Sequence, residues 1–326
     1  MKKGLLKRKF ERYPHFSNLI KYIYYKISGN DLIEKKVSYG ELNEYKKIYV
    51  IRPNSEDGIQ GLMSLLIQTL RKLDYAERKG LTPFVDFYNY KTQYYDGHTN
   101  SWENFFNQVS SLTLNEVYHS KNVILSGASL NVREDMSLFK DTIFFNDNLA
   151  KRGNSIISKY IKLSEDAENL LSNELEAIDI HECLGVYLRG TDYVKLKPSG
   201  EYRQPEIKDV IFKIDEFLKK YSINHIFLVT EDYYYYEILK KRYKDQLIIV
   251  SYDSFIKNYD GKDYLSKSNV LNEDKKERGI EYLIKIILLS KCKYFISSIT
   301  FGSIAAYAFN GNRYDDKYIF NLGYYD

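Results

Sequence analysis

A short apolar segment in the second half of the chain ends in an arginine and an aspartate three residues apart. Residues 184–188 have the length and composition of a buried strand, and Arg189, Gly190, Thr191 and Asp192 follow them directly. An arginine at a strand end can bind a phosphate through two parallel N–H donors, and charge-assisted hydrogen bonds contribute about 1.5–3 kcal/mol each. The segment therefore predicts an anion site. The alternative is that Arg189 and Asp192 pair with each other.

Two further segments have the same form, an apolar run followed by polar residues. The run 225–229 precedes Thr230, Glu231 and Asp232, whose oxygens could accept hydrogen bonds from a ribose or a base. The run 293–297 precedes a hydroxyl-rich turn, where N–H groups at the start of a helix could hold a diphosphate. The residues of that turn are Thr300, Gly302 and Ser303. The alternatives are acids that suit a helix dipole and a hydroxyl that caps a helix.

Together these segments predict a pocket for a nucleotide diphosphate. In open α/β sheets, ligands bind outside the carboxyl ends of the strands, and all three segments occupy such ends. Other chemistries find less support, because the five histidines lack metal-ligand spacing and the chain has neither a Walker lysine loop nor a complete GxGxxG. We expect Cys183 and Cys292 to be core residues, and we expect no metal ion to be required at the diphosphate.

Strand and helix patterns alternate along the chain, which predicts parallel sheets with helices on both faces. In the first half, strands are predicted at 46–51, 83–87, 122–126 and 141–145, and a helix at 62–79. In the second half, strands are predicted at 184–188, 225–230, 246–251 and 293–297, and helices at 206–221, 276–290 and 303–309. We predict a basic N-terminal extension (1–40) and two Rossmann-like domains (41–180 and 181–326) that face each other across a cleft.

Composition limits the partners and the compartment. The 326 residues carry a net charge of +4 that is balanced along most of the sequence, so we expect no nucleic-acid partner. Residues 1–16 are the exception, with six basic residues against one acid, which favours either contact with an anionic membrane surface or a solvated tail. Two distant cysteines and the absence of a long apolar run favour a cytoplasmic protein.

Five segments occur in an order and at spacings typical of one known superfamily. They are GIQGLMSLLIQTLRKLDYAERKGLTPFVDF (58–87), NSWENFF (100–106), VYLRGTDYV (186–194), IFLVTEDYYY (226–235) and LLSKCKYFISSITFGSIAAYAFN (288–310). The third resembles the His-x-Arg-Arg-(Gly/Thr)-Asp-(Tyr/Lys) stretch of the fucosyltransferase superfamily, which includes α-1,2- and α-1,6-fucosyltransferases. The others resemble its Gly-Leu-Gly-Asn helix, its α-1,6 and nodulation-type segment, its (Ser/Thr)-(Asp/Glu)-Asp segment and its Ser-Ser-Phe-Ser block. The resemblance covers roughly residues 48–310.

This resemblance implies a GT-B glycosyltransferase, with the donor in the second Rossmann-like domain and the acceptor groove in the first. It also implies inverting, metal-independent transfer from GDP-β-L-fucose, with no cofactor besides the donor. By position, Arg189 would bind the β-phosphate of the leaving group, and Asp192 would order the loop or the sugar. The other implied donor-binding residues are Tyr187, Thr191, Thr230, Glu231, Asp232, Thr300, Gly302 and Ser303.

Four positions depart from the superfamily pattern. Tyr187 replaces a histidine near the guanine, and Gly190 replaces a second arginine. Lys197 replaces a glutamate base, and Lys285 is nearest to the position of a guanine-reading carboxylate. These departures leave two alternatives open: the same fold using another nucleotide sugar, or a non-catalytic glycan-binding or scaffold protein. The candidates for the catalytic base are Asp192, Glu201, Glu56 and Asp57.

The expected function is transfer of a sugar, best guess L-fucose from GDP-fucose, to a hydroxyl of a bacterial surface oligosaccharide or polysaccharide. The expected partners are the nucleotide-sugar donor and this acceptor, with the basic N-terminus holding the protein at the inner face of the cell membrane. Acceptor choice is expected in first-half loops, whose aromatic residues could stack on sugar rings or simply pack. These residues are Tyr88, Tyr90, Tyr94, Tyr95 and Trp102.

Overall fold

The first half of the chain forms a four-stranded sheet. The computed structural model describes residues 33–54, 60–127, 137–262, 264–265 and 274–326. The strands of the first sheet are β1 (Lys35–Val37), β2 (Ile48–Ile51), β3 (Thr82–Val85) and β4 (Val123–Leu125). Their order is β1-β4-β2-β3, in which β2 pairs in parallel with β3 and β4 while β1 joins the edge antiparallel.

The second half forms a five-stranded parallel sheet. Its strands are β5 (Leu184–Tyr187), β6 (Ile226–Val229), β7 (Leu247–Ile248), β8 (Tyr294–Ser298) and β9 (Asp316–Phe320). The order is β7-β6-β5-β8-β9, so β5 is central and its two neighbours are reached by crossovers in opposite directions. Such a reversal of strand order opens a crevice at the carboxyl edge of the sheet. The three predicted polar segments follow β5, β6 and β8 and therefore meet at this crevice.

Helices cover both sheets. In the first half they are α1 (Leu62–Arg78), α2 (Leu114–Val117), α3 (Asp147–Tyr160) and α4 (Glu165–Ala177). In the second half they are α5 (Thr191–Leu196), α6 (Ile207–Tyr221), α7 (Tyr233–Tyr243), α8 (Lys275–Lys291) and α9 (Phe301–Asn310). Within the described ranges, no helix is long and apolar enough to cross a membrane.

One continuous core joins the two halves. Helices α3 and α4 pack against α9 and α8 of the second half. On this contact the Asn154 side chain donates hydrogen bonds to the carbonyls of Ala308 (3.1 Å) and Phe309 (2.7 Å) at the end of α9. Cys183 and Cys292 are buried and free, which confirms their predicted place in the core. The predicted α/β architecture, two sheets with helices on their faces, is confirmed.

The predicted strand at 141–145 is wrong. Residues Asp141–Phe145 form a 3₁₀ helix in which Ile143 and Phe144 are buried and Phe145 is exposed. The segment leads into α3, whose first-turn N–H groups are capped by the Asn146 side chain. A short apolar run is compatible with either geometry, and periodicity over five residues cannot separate them.

The buried carboxylate of Asp74 ties α1 to α3 and carries a stability prediction. It accepts hydrogen bonds from Arg152 (2.5 and 2.9 Å) and from Arg78 (2.9 Å), and its side chain is only 2% exposed. We expect Asp74→Ala to lower the free energy of unfolding by about 1–3 kcal/mol, because two guanidinium groups lose their acceptor. Urea denaturation measures this. The control is Glu77→Ala, which breaks an exposed pair with Lys159 and should cost below about 0.5 kcal/mol; equal losses would contradict the prediction.

Candidate functional site

A cavity of about 310 Å³ opens at the carboxyl edge of the second sheet, and residues from both halves line it. The first half contributes the start of α1 (residues 61–64), Gln93 and Tyr94. The second half contributes the ends of β5 and β6, one face of α8 and the start of α9. Seven of the predicted donor-side residues lie on its wall: Tyr187, Arg189, Asp192, Thr230, Glu231, Thr300 and Gly302.

Arg189 lies at the end of the central strand between two carboxylates. Its guanidinium is 2.9 Å from Asp192 and 3.4 Å from Glu231, and it stacks 5.1 Å from the ring centre of Tyr193. Burial opposes the charge, but Glu231 and Asp192 raise the pKa of Arg189 well above its ordinary value. The side chain remains 21% exposed and lines the cavity, so pairing with Asp192 does not remove it from a ligand's reach.

Glu231 and Asp232 hold the turn after β5. Glu231 Oε1 accepts from the Gly190 N–H and the Thr191 hydroxyl, both at 2.9 Å, and Asp232 Oδ2 accepts from the Thr191 N–H at 2.8 Å. Thr191 has a φ of +39°, a value that non-glycine residues seldom adopt. The three hydrogen bonds to Glu231 and Asp232 hold the turn in this conformation. Asp232 also caps α7 by accepting from the Tyr234 N–H. Thr191 and Asp232 do not lie on the cavity wall, so they shape the site from behind it.

The contact between this turn and Asp232 explains why residue 190 is glycine. A Cβ atom at Gly190 would lie 2.6 Å from Cγ of Asp232, a distance that real Cβ atoms do not adopt. The superfamily's second arginine therefore has no room here while Asp232 keeps its place. The site holds one arginine at this turn.

Asp192 is a buried side chain whose oxygens are both occupied. Oδ1 accepts from Arg189 (2.9 Å) and from the Tyr193 N–H (3.0 Å), and Oδ2 accepts from the Leu265 N–H (3.1 Å). Leu265 and its neighbour Tyr264 line the cavity. Asp192 thus fixes the arginine and also attaches the segment after β7 to the site.

Helix α9 begins at the cavity with a reciprocal cap. The Thr300 hydroxyl accepts from the Ser303 N–H (3.3 Å), and the Ser303 hydroxyl accepts from the Thr300 N–H (2.9 Å). Ser303 is fully buried and does not line the cavity, since its hydroxyl serves the cap. The first turn still offers the N–H groups of Phe301 and Gly302, which precede Ile304, the first residue whose N–H donates to a carbonyl of the helix. An anion could bind there.

Two buried tyrosine hydroxyls form the floor beside this turn. Tyr187 and Tyr282 lie 2.8 Å apart, oxygen to oxygen, and burial raises the pKa of both phenols. A Cβ at Gly302 would lie 2.6 Å from the Tyr282 hydroxyl, so glycine is required for the helix to start this close. Tyr282 was missed in the sequence. The signal available was its place on the predicted helix, four residues after Arg278 and three before Lys285.

Helix α8 contributes three further polar residues to the cavity wall, none of which was predicted as a site residue. Arg278, Glu281 and Lys285 line the cavity. Lys285 forms an ion pair with Asp253 at 2.5 Å, and burial raises the pKa of Glu281. The wall therefore carries both hydrogen-bond donors and an acceptor.

The candidate catalytic bases differ in position and in the hydrogen bonds that their carboxylates already accept. Glu201 lies beside the site, where the Tyr193 hydroxyl is 3.5 Å from its carboxylate; burial raises the pKa of Glu201. Glu201 does not itself lie on the cavity wall. Both carboxylate oxygens of Asp192 already accept hydrogen bonds. Glu56 and Asp57 lie outside the described residues. In the part of the chain that is described, no cluster of three His, Cys, Asp or Glu side chains could hold a metal ion.

Among the five predicted aromatic residues of the first half, Trp102 is buried and the four tyrosines are partly exposed. Trp102 is buried, lies 4.5 Å from Phe106 by ring centres and donates its indole N–H to the Asn107 carbonyl. Tyr94 lines the cavity, and its hydroxyl accepts a hydrogen bond from the Leu62 N–H at 3.0 Å. Of the five predicted aromatic residues, Tyr94 alone lies on the wall of this cavity.

Comparison with known proteins supports the architecture. No protein-family model and no curated protein sequence matches the chain. A solved structure of a NodZ alpha-1,6-fucosyltransferase soaked with GDP-fucose matches with a TM-score of 0.50 at 16% identity, over 80% of this chain and 92% of that one. The chain therefore has the GT-B fold predicted for it.

Two further solved structures give lower scores. Fucosyltransferase NodZ from Bradyrhizobium matches at a TM-score of 0.48 and 16% identity, over 81% of this chain and 93% of its own. POFUT1 in complex with GDP matches at 0.48 and 9% identity, over 87% of this chain and 100% of its own.

Proposed function

We propose that the protein is an inverting, metal-independent glycosyltransferase that moves a sugar from a nucleoside diphosphate to an acceptor hydroxyl. This proposal rests mainly on one observation: Arg189 and the first turn of α9 line the same cavity. A guanidinium and a helix N-terminus together offer a diphosphate charge-assisted donors and backbone N–H groups. Residues of the first half line the same cavity, and in this proposal the acceptor binds on their side.

The proposed donor is GDP-fucose. The NodZ structure that matches at a TM-score of 0.50 was soaked with GDP-fucose, and this chain shares its fold. The competing donor is another nucleotide sugar. This alternative is favoured by Tyr187, which forms a hydroxyl pair with Tyr282 where the superfamily has a histidine.

The proposed reaction is a single displacement. A base removes the proton of the acceptor hydroxyl, the oxygen bonds to the anomeric carbon, and the bond from that carbon to the β-phosphate oxygen breaks. The diphosphate leaves with the electron pair, and Arg189 and the α9 N–H groups stabilise the charge it acquires. In this proposal they do the work that a divalent cation does elsewhere. Glu201 is the proposed base among the described candidates, because both oxygens of Asp192 are occupied; it would act from beside the cavity wall, next to Tyr193. Asp57, outside the described residues, is the alternative base.

The raised pKa of Glu201 predicts how kcat/KM changes at acid pH. Burial raises its pKa, so the carboxylate that accepts the proton is lost as the pH falls through a value above the ordinary one of about 4.3. We expect kcat/KM to fall on the acid side of this raised pKa. We expect Glu201→Gln to lower kcat by about 10²–10⁴-fold and to remove that limb. A Gln variant that keeps both the rate and the limb would show that Glu201 only supports Tyr193.

The proposed domains are a basic extension (1–40) and two Rossmann-like domains (41–180 and 181–326). The acceptor binds in the first Rossmann-like domain and the donor in the second. The acceptor is a bacterial surface oligosaccharide or polysaccharide, made on the cytoplasmic side of the cell membrane. The basic segment 1–16, outside the described residues, would bind that membrane face.

A nucleotide panel followed by a donor assay tests the function. Thermal melting of the full chain is measured with GDP, UDP, ADP and CDP in buffer containing EDTA, and GDP release from GDP-fucose is then followed with and without candidate glycans. Stabilisation by GDP together with acceptor-dependent GDP release is the expected result. Stabilisation by another nucleotide alone supports the alternative donor. The absence of any response contradicts the enzyme and favours a glycan-binding protein.

A further inference from the structure

Glu201 lies on the loop between α5 and α6, and a segment that follows β9 pairs with this loop. The Tyr325 N–H donates to the Glu201 carbonyl at 2.9 Å. Further along the loop, the Arg203 N–H donates to the Gly323 carbonyl, also at 2.9 Å. These bonds attach the backbone around Glu201 to the second half of the chain.

Tyr202, the next residue of the loop, connects it to the first half. Its hydroxyl donates to Oδ2 of Asp141 at 2.6 Å, in the 3₁₀ helix that leads into α3. Its ring packs against Tyr324 with 4.3 Å between the ring centres. The two hydroxyls lie 2.5 Å apart, and Tyr324 is the donor of that pair because Tyr202 gives its proton to Asp141. The loop that carries Glu201 is therefore held by both halves.

The pKa of Glu201 depends on where this loop lies. Burial is the largest cause of its rise; the Tyr193 hydroxyl and the charge of Arg189 oppose the rise, and Asp192 adds to it. Among the described residues, these are the titratable or charged side chains that act on the Glu201 carboxyl, and all three follow β5. A loop that moved outward would expose the carboxyl, and its pKa would fall towards the ordinary value of about 4.3.

The contact between Tyr202 and Asp141 can act on the reaction only through Glu201, because neither residue lies on the cavity wall. A base must come within about 2.6–3.2 Å of the hydroxyl whose proton it removes. The acceptor is proposed to bind on the side of the first half, whereas Glu201 is carried by the second half. A hydrogen bond between the halves, one residue from the base, is placed to fix that distance.

We propose that the hydrogen bond from Tyr202 to Asp141 positions Glu201, so that a residue of the first half aligns the base of the second half with the acceptor. This step rests on the proposed function, in which Glu201 removes the proton of the acceptor hydroxyl. That proton still passes to the Glu201 carboxylate, and Tyr202 keeps its own. Tyr202 and Asp141 are therefore positioning residues.

Tyr202→Phe removes the hydroxyl and keeps the ring that packs on Tyr324. GDP release from GDP-fucose, with the glycan that raises it most, should show a kcat lower by about 10–100-fold, the cost of a small misplacement of the base. The Kd for GDP should be unchanged. The fall of kcat/KM on the acid side should move to lower pH, because the released carboxyl is more exposed. Asp141→Ala should give the same changes, and the double variant should lose no more than either single variant.

Carbon-13 NMR of the glutamate carboxyl groups tests the same point without an acceptor. Glu201→Gln identifies the Glu201 signal, and a titration of that signal gives the pKa. In Tyr202→Phe this pKa should lie closer to the ordinary value than in the unaltered protein. Tyr243→Phe is the matched control, because it removes a hydroxyl that lies 2.9 Å from Oδ1 of Asp215, away from the cavity wall. It should change neither kcat nor the pKa of Glu201.

An unchanged kcat and an unchanged Glu201 pKa in a Tyr202→Phe variant that binds GDP normally would overturn the proposal. Equal losses of kcat and of GDP affinity, with the Glu201 pKa in place, would also overturn it, because the contact would then serve folding alone. If Glu201→Gln keeps the full rate, the positioning role falls with the base, while GDP binding and GDP release leave the rest of the proposed function intact. If the unaltered protein neither binds GDP nor releases it from GDP-fucose, the proposed function fails as well.

Discussion

Replacing Arg189 by alanine is expected to lower kcat for sugar transfer by about 10²–10³-fold, because one charged group that stabilises the departing diphosphate is lost. The guanidinium is also the partner of Asp192 and Glu231, so the variant leaves two carboxylates facing the position where a phosphate would bind. Donor binding should weaken for the same reason. The measurement is GDP release from GDP-fucose under single-turnover conditions, with the Kd for GDP determined in parallel.

Two variants separate chemistry from folding. Arg189→Lys keeps a positive charge, loses the two-pronged donor geometry and should recover only part of the rate. Arg242→Ala removes an arginine from an exposed pair with Asp215 and should leave the rate unchanged. A rate in Arg189→Ala within threefold of the unaltered enzyme, in a variant that melts normally, would remove Arg189 from the reaction.

Adding a side chain at Gly190 is expected to damage the site, even when the added residue is the arginine found in the superfamily. Gly190→Ala should lower the free energy of unfolding by about 1–3 kcal/mol, the usual cost of overpacking, because its Cβ would collide with Asp232. Gly190→Arg should lower it further. It should also weaken GDP binding. Displacement of Asp232 removes the acceptor of the Thr191 N–H and so loosens the turn that carries Arg189.

Gly61→Ala is the matched control for this series. Gly61 also borders the cavity, and no atom of the described residues lies within 4 Å of the place that its Cβ would take, so alanine there should change the free energy of unfolding by less than about 0.5 kcal/mol. Urea denaturation and GDP titration measure both effects. Tighter GDP binding in Gly190→Arg would mean that the turn can open to accept a second arginine, contrary to the close packing of Gly190 on Asp232.

Several elements of the second half were predictable because their patterns are strong, whereas α5 and β9 were not predicted and β7 is shorter than the predicted strand at 246–251. Strand β5 is a short apolar run that stops at a charged residue, and α8 carries buried apolar residues from Ile280 to Leu289. By contrast, β1 has three residues, two of them exposed lysines, and forms only because β4 offers an unpaired edge. A pattern of side chains contains no information about such an edge.

The site was predictable to the level of its strand ends and no further. Arg189, Glu231 and Gly302 could be placed together because parallel strands end at one edge. The engagement of Ser303 in a cap, and of Asp232 beneath the Gly190 turn, depends on distances that spacing alone does not supply. Tyr282 and Lys285 line the cavity because one face of α8 forms part of its wall. Their residue types are common on helices that bind nothing.

The most direct test of the nucleotide-sugar site is a crystal structure of the protein soaked with GDP. The proposal predicts a diphosphate bound between the Arg189 guanidinium and the N–H groups of Phe301 and Gly302, inside the cavity that these residues line. A diphosphate bound elsewhere, or a cavity without nucleotide at a GDP concentration far above that needed to stabilise the protein in solution, would contradict it.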